Sequence, residues 1–213
     1  MHTYSIDSDI RKKIIIYITI LSIAIILLIS LITNAFGINF FPLNINKETI
    51  GPAIMKLFTT TVTLTGILYA IFDKWLWKVW IFNRFHNIPN LNGKWEGTYK
   101  SSYKDDNGNN FTGKSNIKIK QTWSKIEIKS LNEKSESYSL LAGIYLNRMN
   151  GIELRYEYFN NTNNTLVNTM NKHFGLNAFT YHEDIDTLIG EYYTNKDRQT
   201  YGVITVKRVG KEK

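Results

Sequence analysis

The chain has 213 residues, no cysteine, and a net charge of +8 from 26 Lys/Arg against 18 Asp/Glu. The missing cysteines exclude disulfides and thiolate metal sites, and the length suits one modest domain plus a membrane anchor. The charge is spread evenly: up to Phe85 eight basic residues face four acidic ones, and beyond it eighteen face fourteen, with no dense basic stripe of the kind that binds DNA or RNA.

The first element is the uncharged run Ile14–Thr33, long enough to cross a hydrocarbon layer of roughly 30 Å as a helix. A second apolar segment covers about 54–72. Arg11, Lys12 and Lys13 precede the first span, and Lys74, Lys78 and Arg84 follow the second, while the loop between them carries only Lys47 and Glu48. This asymmetry places both termini in the cytoplasm, with the loop outside. A secretory leader fits less well, because the apolar run is too long for one and a second span follows. Lys56 stands near the outer end of span two, where its stem can snorkel. Trp75, Trp77 and Trp80 read as an interfacial belt, with packing into the following domain as the alternative. Thr59, Thr60, Thr61, Thr63, Thr65 and Gly66 suit either hairpin packing of the two spans or association with other copies.

From Gly93 the apolar period changes to two, as in half-buried strands. Eight strands are predicted, at about 93–102, 113–121, 123–130, 135–147, 151–160, 172–181, 186–194 and 199–208, separated by Asn-, Asp- and Gly-rich turns. With no helix between them, they form a small antiparallel up-and-down β-barrel. The fold class is thus membrane-anchored all-β: residues 1–86 hold the two transmembrane helices, and 87–213 the cytoplasmic barrel.

If the first strand runs away from the membrane, the inward residues near the membrane are apolar: Trp95, Ile126, Leu154, Leu188, Ile204 and Val206. Those at the far end are polar: Ser101, Ser130, Ser135, Ser137, Tyr156, Tyr158, Asn160, Tyr192, Thr194 and Thr200. So many hydroxyls cannot be buried dry, since each unpaired one costs on the order of 1–3 kcal/mol. The far half is therefore a hydrated mouth or a polar pocket. Tyr156 and Tyr158 offer faces for stacking and Arg198 a guanidinium, which suits a nucleobase with phosphate.

Catalytic and metal readings find little support. His2 is terminal, His86 lies in the linker, and His173 and His182 do not have metal-site spacing. Glu183, Asp184 and Asp186 read as a solvated hairpin turn. No catalytic residue, metal ligand or cofactor is assigned, and the protein is read as a non-enzyme.

Several segments carry a family resemblance: Ile88-Pro89-Asn90-Leu91-Asn92-Gly93-Lys94-Trp95-Glu96-Gly97 behind two spans, then Gln121-Thr122-Trp123, Ser135, Ser137 and Ser139, and Tyr156-Glu157-Tyr158-Phe159-Asn160. His173-Phe174-Gly175, Gly190-Glu191-Tyr192-Tyr193-Thr194 and Arg198-Gln199-Thr200-Tyr201-Gly202 complete the series. In this order the chain resembles the CD-NTase-associated protein 15 family, two-transmembrane, β-strand-rich effectors of bacterial CBASS anti-phage defence, over almost its whole length. The resemblance implies a barrel that senses a cyclic dinucleotide made by a partner CD-NTase. It further implies that binding promotes self-association of the spans, disruption of the inner membrane and death of the infected cell. The matching positions imply a pocket of Tyr156, Tyr158, Asn160, Thr194, Arg198 and Thr200, with tyrosines stacking bases, Arg198 meeting a phosphate, and the amide and hydroxyls reading edges. The Asn-rich stretch Asn161–Asn171 departs from the family pattern. The alternative function is a membrane-anchored, lipocalin-like carrier of a small apolar ligand.

Overall fold

A computed structural model describes residues 1–38, 40, 48–104, 107–132, 135–149, 151–162, 172–196 and 198–210. The stretch from 163 to 171, most of the Asn-rich departure, lies outside the described residues. The chain divides into two compact units, one of Asp9–Phe82 and one of Met1–Ser8 with Asn83–Lys213. The first eight residues thus fall with the barrel, a division that differs from a single cut after residue 86.

In the helical unit, α1 spans Ile10–Ala35 and α2 spans Ile50–Lys74. Both are long and apolar enough to cross a membrane. Helix α1 ends where Gly37 adopts φ +74°, allowing Ile38 N–H to reach back to the Thr33 carbonyl at 2.8 Å. The two helices pack together, and Thr65 Oγ1 donates to Ser22 Oγ at 3.1 Å between them. Thr59, Thr60 and Thr63 instead bond to carbonyls one turn back in α2, which satisfies their hydroxyls without a partner helix. Lys56 Nζ donates to the Phe40 carbonyl at 2.7 Å. Of the expected tryptophan belt, Trp75 and Trp80 are exposed, whereas Trp77 is buried at 1% exposure. A short helix, α3 (Trp80–His86), follows.

The other unit holds two short N-terminal strands, β1 (His2–Thr3) and β2 (Ser5–Ile6), and eight long ones. These are β3 (Gly93–Lys104), β4 (Asn110–Gln121), β5 (Lys125–Asn132), β6 (Ser135–Arg148), β7 (Gly151–Thr162), β8 (His173–His182), β9 (Thr187–Thr194) and β10 (Tyr201–Gly210). Each of the eight pairs antiparallel with its sequence neighbour, and β10 pairs with β3, so the barrel closes. Its base is where residues 87–92 enter β3; its rim is the opposite end, where β5 and β9 end and β6 and β10 begin.

The apolar inner residues fill the base: Trp95, Ile117, Ile119, Ile126, Ile128, Leu154, Leu188 and Val206 are all buried. The linker seals it from below. Ile88 and Leu91 are buried, and Arg208 lies over the Trp95 ring at 4.4 Å while donating to the carbonyls of Asn92 and Asn90, each at 2.9 Å. His86, expected as a linker residue, is buried instead; its Nδ1 accepts from Ile88 N–H at 3.0 Å and its ring meets Trp123 edge-on.

The N-terminus is the departure from expectation. Strands β5 and β6 pair only between Lys129–Asn132 and Ser135–Tyr138 at the rim. The register of β6 slips between Ser139 and Leu141, a bulge that bends the strand away from β5. Residues 2–6 fill the resulting gap, pairing antiparallel with β5 (His2↔Ile126) and parallel with β6 (Ser5↔Gly143). His2 is therefore a barrel residue, not a loose terminus. Its Nε2 lies 2.8 Å from Ser139 Oγ.

Candidate functional site

Alternation along β7 points Leu154, Tyr156, Tyr158 and Asn160 inward, and the pairing with β8 sets each beside a named neighbour: Phe179, Asn177, Gly175 and His173 in that order. Pairing of β8 with β9 extends two of these rows, Asn177 to Tyr192 and Gly175 to Thr194. The outer half of the lumen is thus lined by Tyr156, Tyr158, Asn160, His173, Asn177 and Tyr192, all buried, with Ser101, Ser135, Ser137 and Ser139.

The aromatic rings form two groups. Tyr156 stacks on Phe179 at 6.1 Å and lies 6.4 Å from Tyr158; Tyr158 meets His173 edge-on at 6.2 Å, and Tyr192 meets Tyr99 at 6.4 Å. Burial pushes the phenols of Tyr156, Tyr158 and Tyr192 above the ordinary range, with neighbouring Tyr158 adding to the effect on Tyr156 and Tyr192 to that on Tyr158. The positive charge of Arg198 opposes the rise at Tyr158 and Tyr192, so the guanidinium lies within electrostatic reach of both. All three phenols stay neutral at physiological pH and present no negative charge to an anion.

Arg198 sits in the loop between β9 and β10, and Thr194 and Thr200 form that loop's neck. Thr194 Oγ1 donates to the Thr200 carbonyl at 2.9 Å and accepts from Thr200 N–H at 2.8 Å. Asn195 N–H ties the loop to the Phe174 carbonyl of β8 at 2.9 Å. The two threonines thus hold the neck of the loop that carries Arg198. Asn160 Nδ2 donates to Ser135 Oγ at 3.2 Å. Its Oδ1, like that of Asn177, is buried and accepts no hydrogen bond from a described residue.

The structure therefore gathers Tyr156, Tyr158 and Asn160 inside the lumen and sets Thr194, Arg198 and Thr200 at its rim. Sequence reasoning passed over Asn177 and Tyr99 as site residues, although the alternation that selects Phe179 on β8 also selects Asn177. No group of three or more His, Asp or Glu able to hold a metal occurs among the described residues. The apolar base is packed with the protein's own side chains, and the rest of the inner surface is polar and aromatic, which counts against an apolar cargo.

Comparison with known proteins agrees with this division. The family models "Cap15, TM helices" and "Cap15, cyclic dinucleotide receptor domain" match residues 12–78 and 86–208. CD-NTase-associated protein 15 of Yersinia aleksiciae is 33% identical over 142 residues, covering 67% of this chain and 66% of the relative. Its counterpart from Escherichia albertii is 28% identical over 119 residues, 54% of this chain and 59% of the relative. The matched stretches thus span less than two thirds of either relative's length. With both halves of the chain matched in order, helices and barrel alike, this membrane protein belongs to the Cap15 family.

Proposed function

We propose that the barrel is the sensor of a CBASS anti-phage effector: it binds a cyclic dinucleotide made by a partner CD-NTase and switches the membrane helices toward self-association. Beyond family membership, one observation carries the reading. A lumen of neutral tyrosines and buried amide oxygens lies beside a guanidinium that makes no hydrogen bond or ion pair with a described residue. Tyr156 and Tyr158 supply π faces for bases. Asn160 and Asn177 supply acceptors for base N–H donors, and Arg198 a planar fork for phosphate.

The protein acts by binding and switching, with no chemical step. Ligand drives assembly only if it binds the assembled state more tightly than the resting one. The basic residues flanking the helices support an inner-membrane orientation with both termini inside, and assembly of the helices then breaches that membrane.

Calorimetric titration of the full chain in detergent micelles with a panel of cyclic dinucleotides tests the receptor. At least one should bind at micromolar concentration or better; binding by none would end the proposal. Arg198→Ala should weaken that binding about ten- to hundredfold, the worth of one hydrogen bond to a charged group. Unchanged affinity would remove Arg198 from the pocket.

A further inference from the structure

Net charge is balanced between the two halves of the sequence, but lysine is not evenly spread around the barrel. Strands β3–β5 carry eight lysines against two glutamates, whereas β6–β9 carry four glutamates against two arginines and no lysine. The cross-strand register sharpens the division. One continuous belt of direct neighbours runs Lys94, Lys118, Lys129, Tyr138, Phe159, Phe174. Its first half is three lysines side by side, an arrangement that like charges directly opposite one another disfavour and that Lys129 partly offsets by reaching Glu136 of the adjoining strand at 3.5 Å. Its second half is an aromatic ladder on the outer wall, with ring centroids 5.7 Å and 5.0 Å apart.

The ladder stands in partly exposed surroundings. Phe174 is 45% exposed, Leu176 and Leu141 are exposed beside it, and Glu136 and Glu157 flank it. An apolar patch of this kind with a polar border marks a docking surface. Its chemistry, aromatic faces and carboxylates, complements a row of ammonium groups. A row of ammonium groups is what the other wall of the same barrel presents.

We propose that copies of this chain assemble side by side through these two walls, the lysine wall of one barrel seated on the aromatic–acidic wall of the next. The contact is heterologous: the two patches differ, so each copy keeps one unused face and assembly does not stop at a dimer. Membrane helices favour this geometry, because every copy enters the bilayer in the same sense. The proposal rests on the receptor reading only for its trigger, ligand-promoted association.

Sedimentation velocity of the full chain in detergent micelles, across protein concentration and with or without cyclic dinucleotide, is the test. Wild-type protein should assemble. Lys94→Glu with Lys118→Glu should abolish assembly or shift it to at least tenfold higher concentration, as should Glu136→Lys with Glu157→Lys. An equal mixture of the two double variants should assemble again, since every reversed wall then meets an oppositely charged one. Phe174→Ser, which leaves all charges in place, should weaken assembly and gain nothing from mixing. Wild-type protein that stays monomeric throughout, variants that assemble as readily as wild type, or a folded mixture that remains apart would each overturn the interface. Calorimetry on the same samples separates the two readings. Variants that bind ligand but fail to assemble support the walls. Wild-type protein that binds no dinucleotide yet assembles with concentration, and loses this in the variants, upholds the interface and overturns the receptor.

Discussion

Tyr158 lies across the wall because Gly175, its direct neighbour on β8, has no side chain: a Cβ there would stand 2.3 Å from the ring's Cζ and hydroxyl oxygen. Tyr99 beside Gly113 and Tyr192 beside Gly202 repeat the arrangement. A Cβ on Gly175 would also stand 2.6 Å from the Tyr193 carbonyl, so Gly175→Ala should displace Tyr158 and press on the neighbouring strand at a cost of about 1–3 kcal/mol, the usual range for overpacking. Ligand affinity should fall with it; thermal unfolding and calorimetry of the variant read the two effects, and an unshifted melting temperature would show that the ring has room to move. The buried phenols also predict a pH dependence. Their folded pKa values are raised by burial, so their contribution is complete below the unfolded value of about 10 and is lost as pH climbs past it, each adding about 1.4 kcal/mol of loss per pH unit. Thermal unfolding between neutral and strongly alkaline pH should show a steep fall above that value, shallower in Tyr156→Phe and Tyr158→Phe. Equal steepness in both variants would contradict it. The inward tyrosines were legible from alternation alone, but the glycines that make space for them were not. Each lies on a different strand from its ring, and only the register brings the pair together.

The eight long strands could be read from their period of two and their turns, and their direction correctly sorted an apolar base from a polar rim. The element that escaped is the N-terminal one. Residues 2–6 show no alternation of useful length, and what holds them is a seam opened by a bulge in β6, a tertiary event with no local signature. Tyr4 is buried there: its hydroxyl accepts from Gln121 Nε2 and donates to the Thr122 carbonyl, both at 3.3 Å. The barrel is thus built from chain on both sides of the helical hairpin. Tyr4→Ala should cost about 3 kcal/mol or more, as for other large aromatic truncations, and deletion of residues 1–8 should lower the barrel's thermal midpoint further. A barrel fragment beginning at residue 87 should melt earlier than the same fragment supplied with the N-terminal peptide. Equal midpoints with and without the peptide would show that the seam holds itself closed. The motif Ile88–Gly97, which carried much of the family resemblance, proves to be the seal of the base and stands apart from the proposed ligand site. Its asparagines bind backbone: Asn92 Oδ1 accepts from Gln121 N–H at 2.6 Å and its Nδ2 donates to the Gln121 carbonyl at 2.9 Å.

At the scale of the whole molecule, the membrane hairpin has two covalent connections to the barrel, residues 1–9 before α1 and 87–92 after α3, and both are tied at one side chain. Gln121, 2% exposed, accepts from Leu91 N–H at 2.8 Å through Oε1 and donates to the Tyr4 hydroxyl through Nε2. Strand β4 ends at this glutamine, and its side-chain amide bonds one residue from the chain on each side of the helices. Gln121→Leu keeps the bulk but takes the acceptor from the Leu91 N–H, at about 1–3 kcal/mol, while the Tyr4 hydroxyl keeps its bond to the Thr122 carbonyl. The proposed ligand residues lie at the opposite end of the barrel, and distant independent sites perturb one another by no more than about 0.5 kcal/mol. Dinucleotide affinity of Gln121→Leu in micelles should thus remain within about twofold of wild type. Ligand-driven assembly, read by sedimentation, and leakage of dye from vesicles holding the full chain should both decline. Intact assembly and leakage in a variant with a lowered melting temperature would assign Gln121 to stability alone. Loss of leakage with affinity preserved would make the base of the barrel the joint between sensing and output.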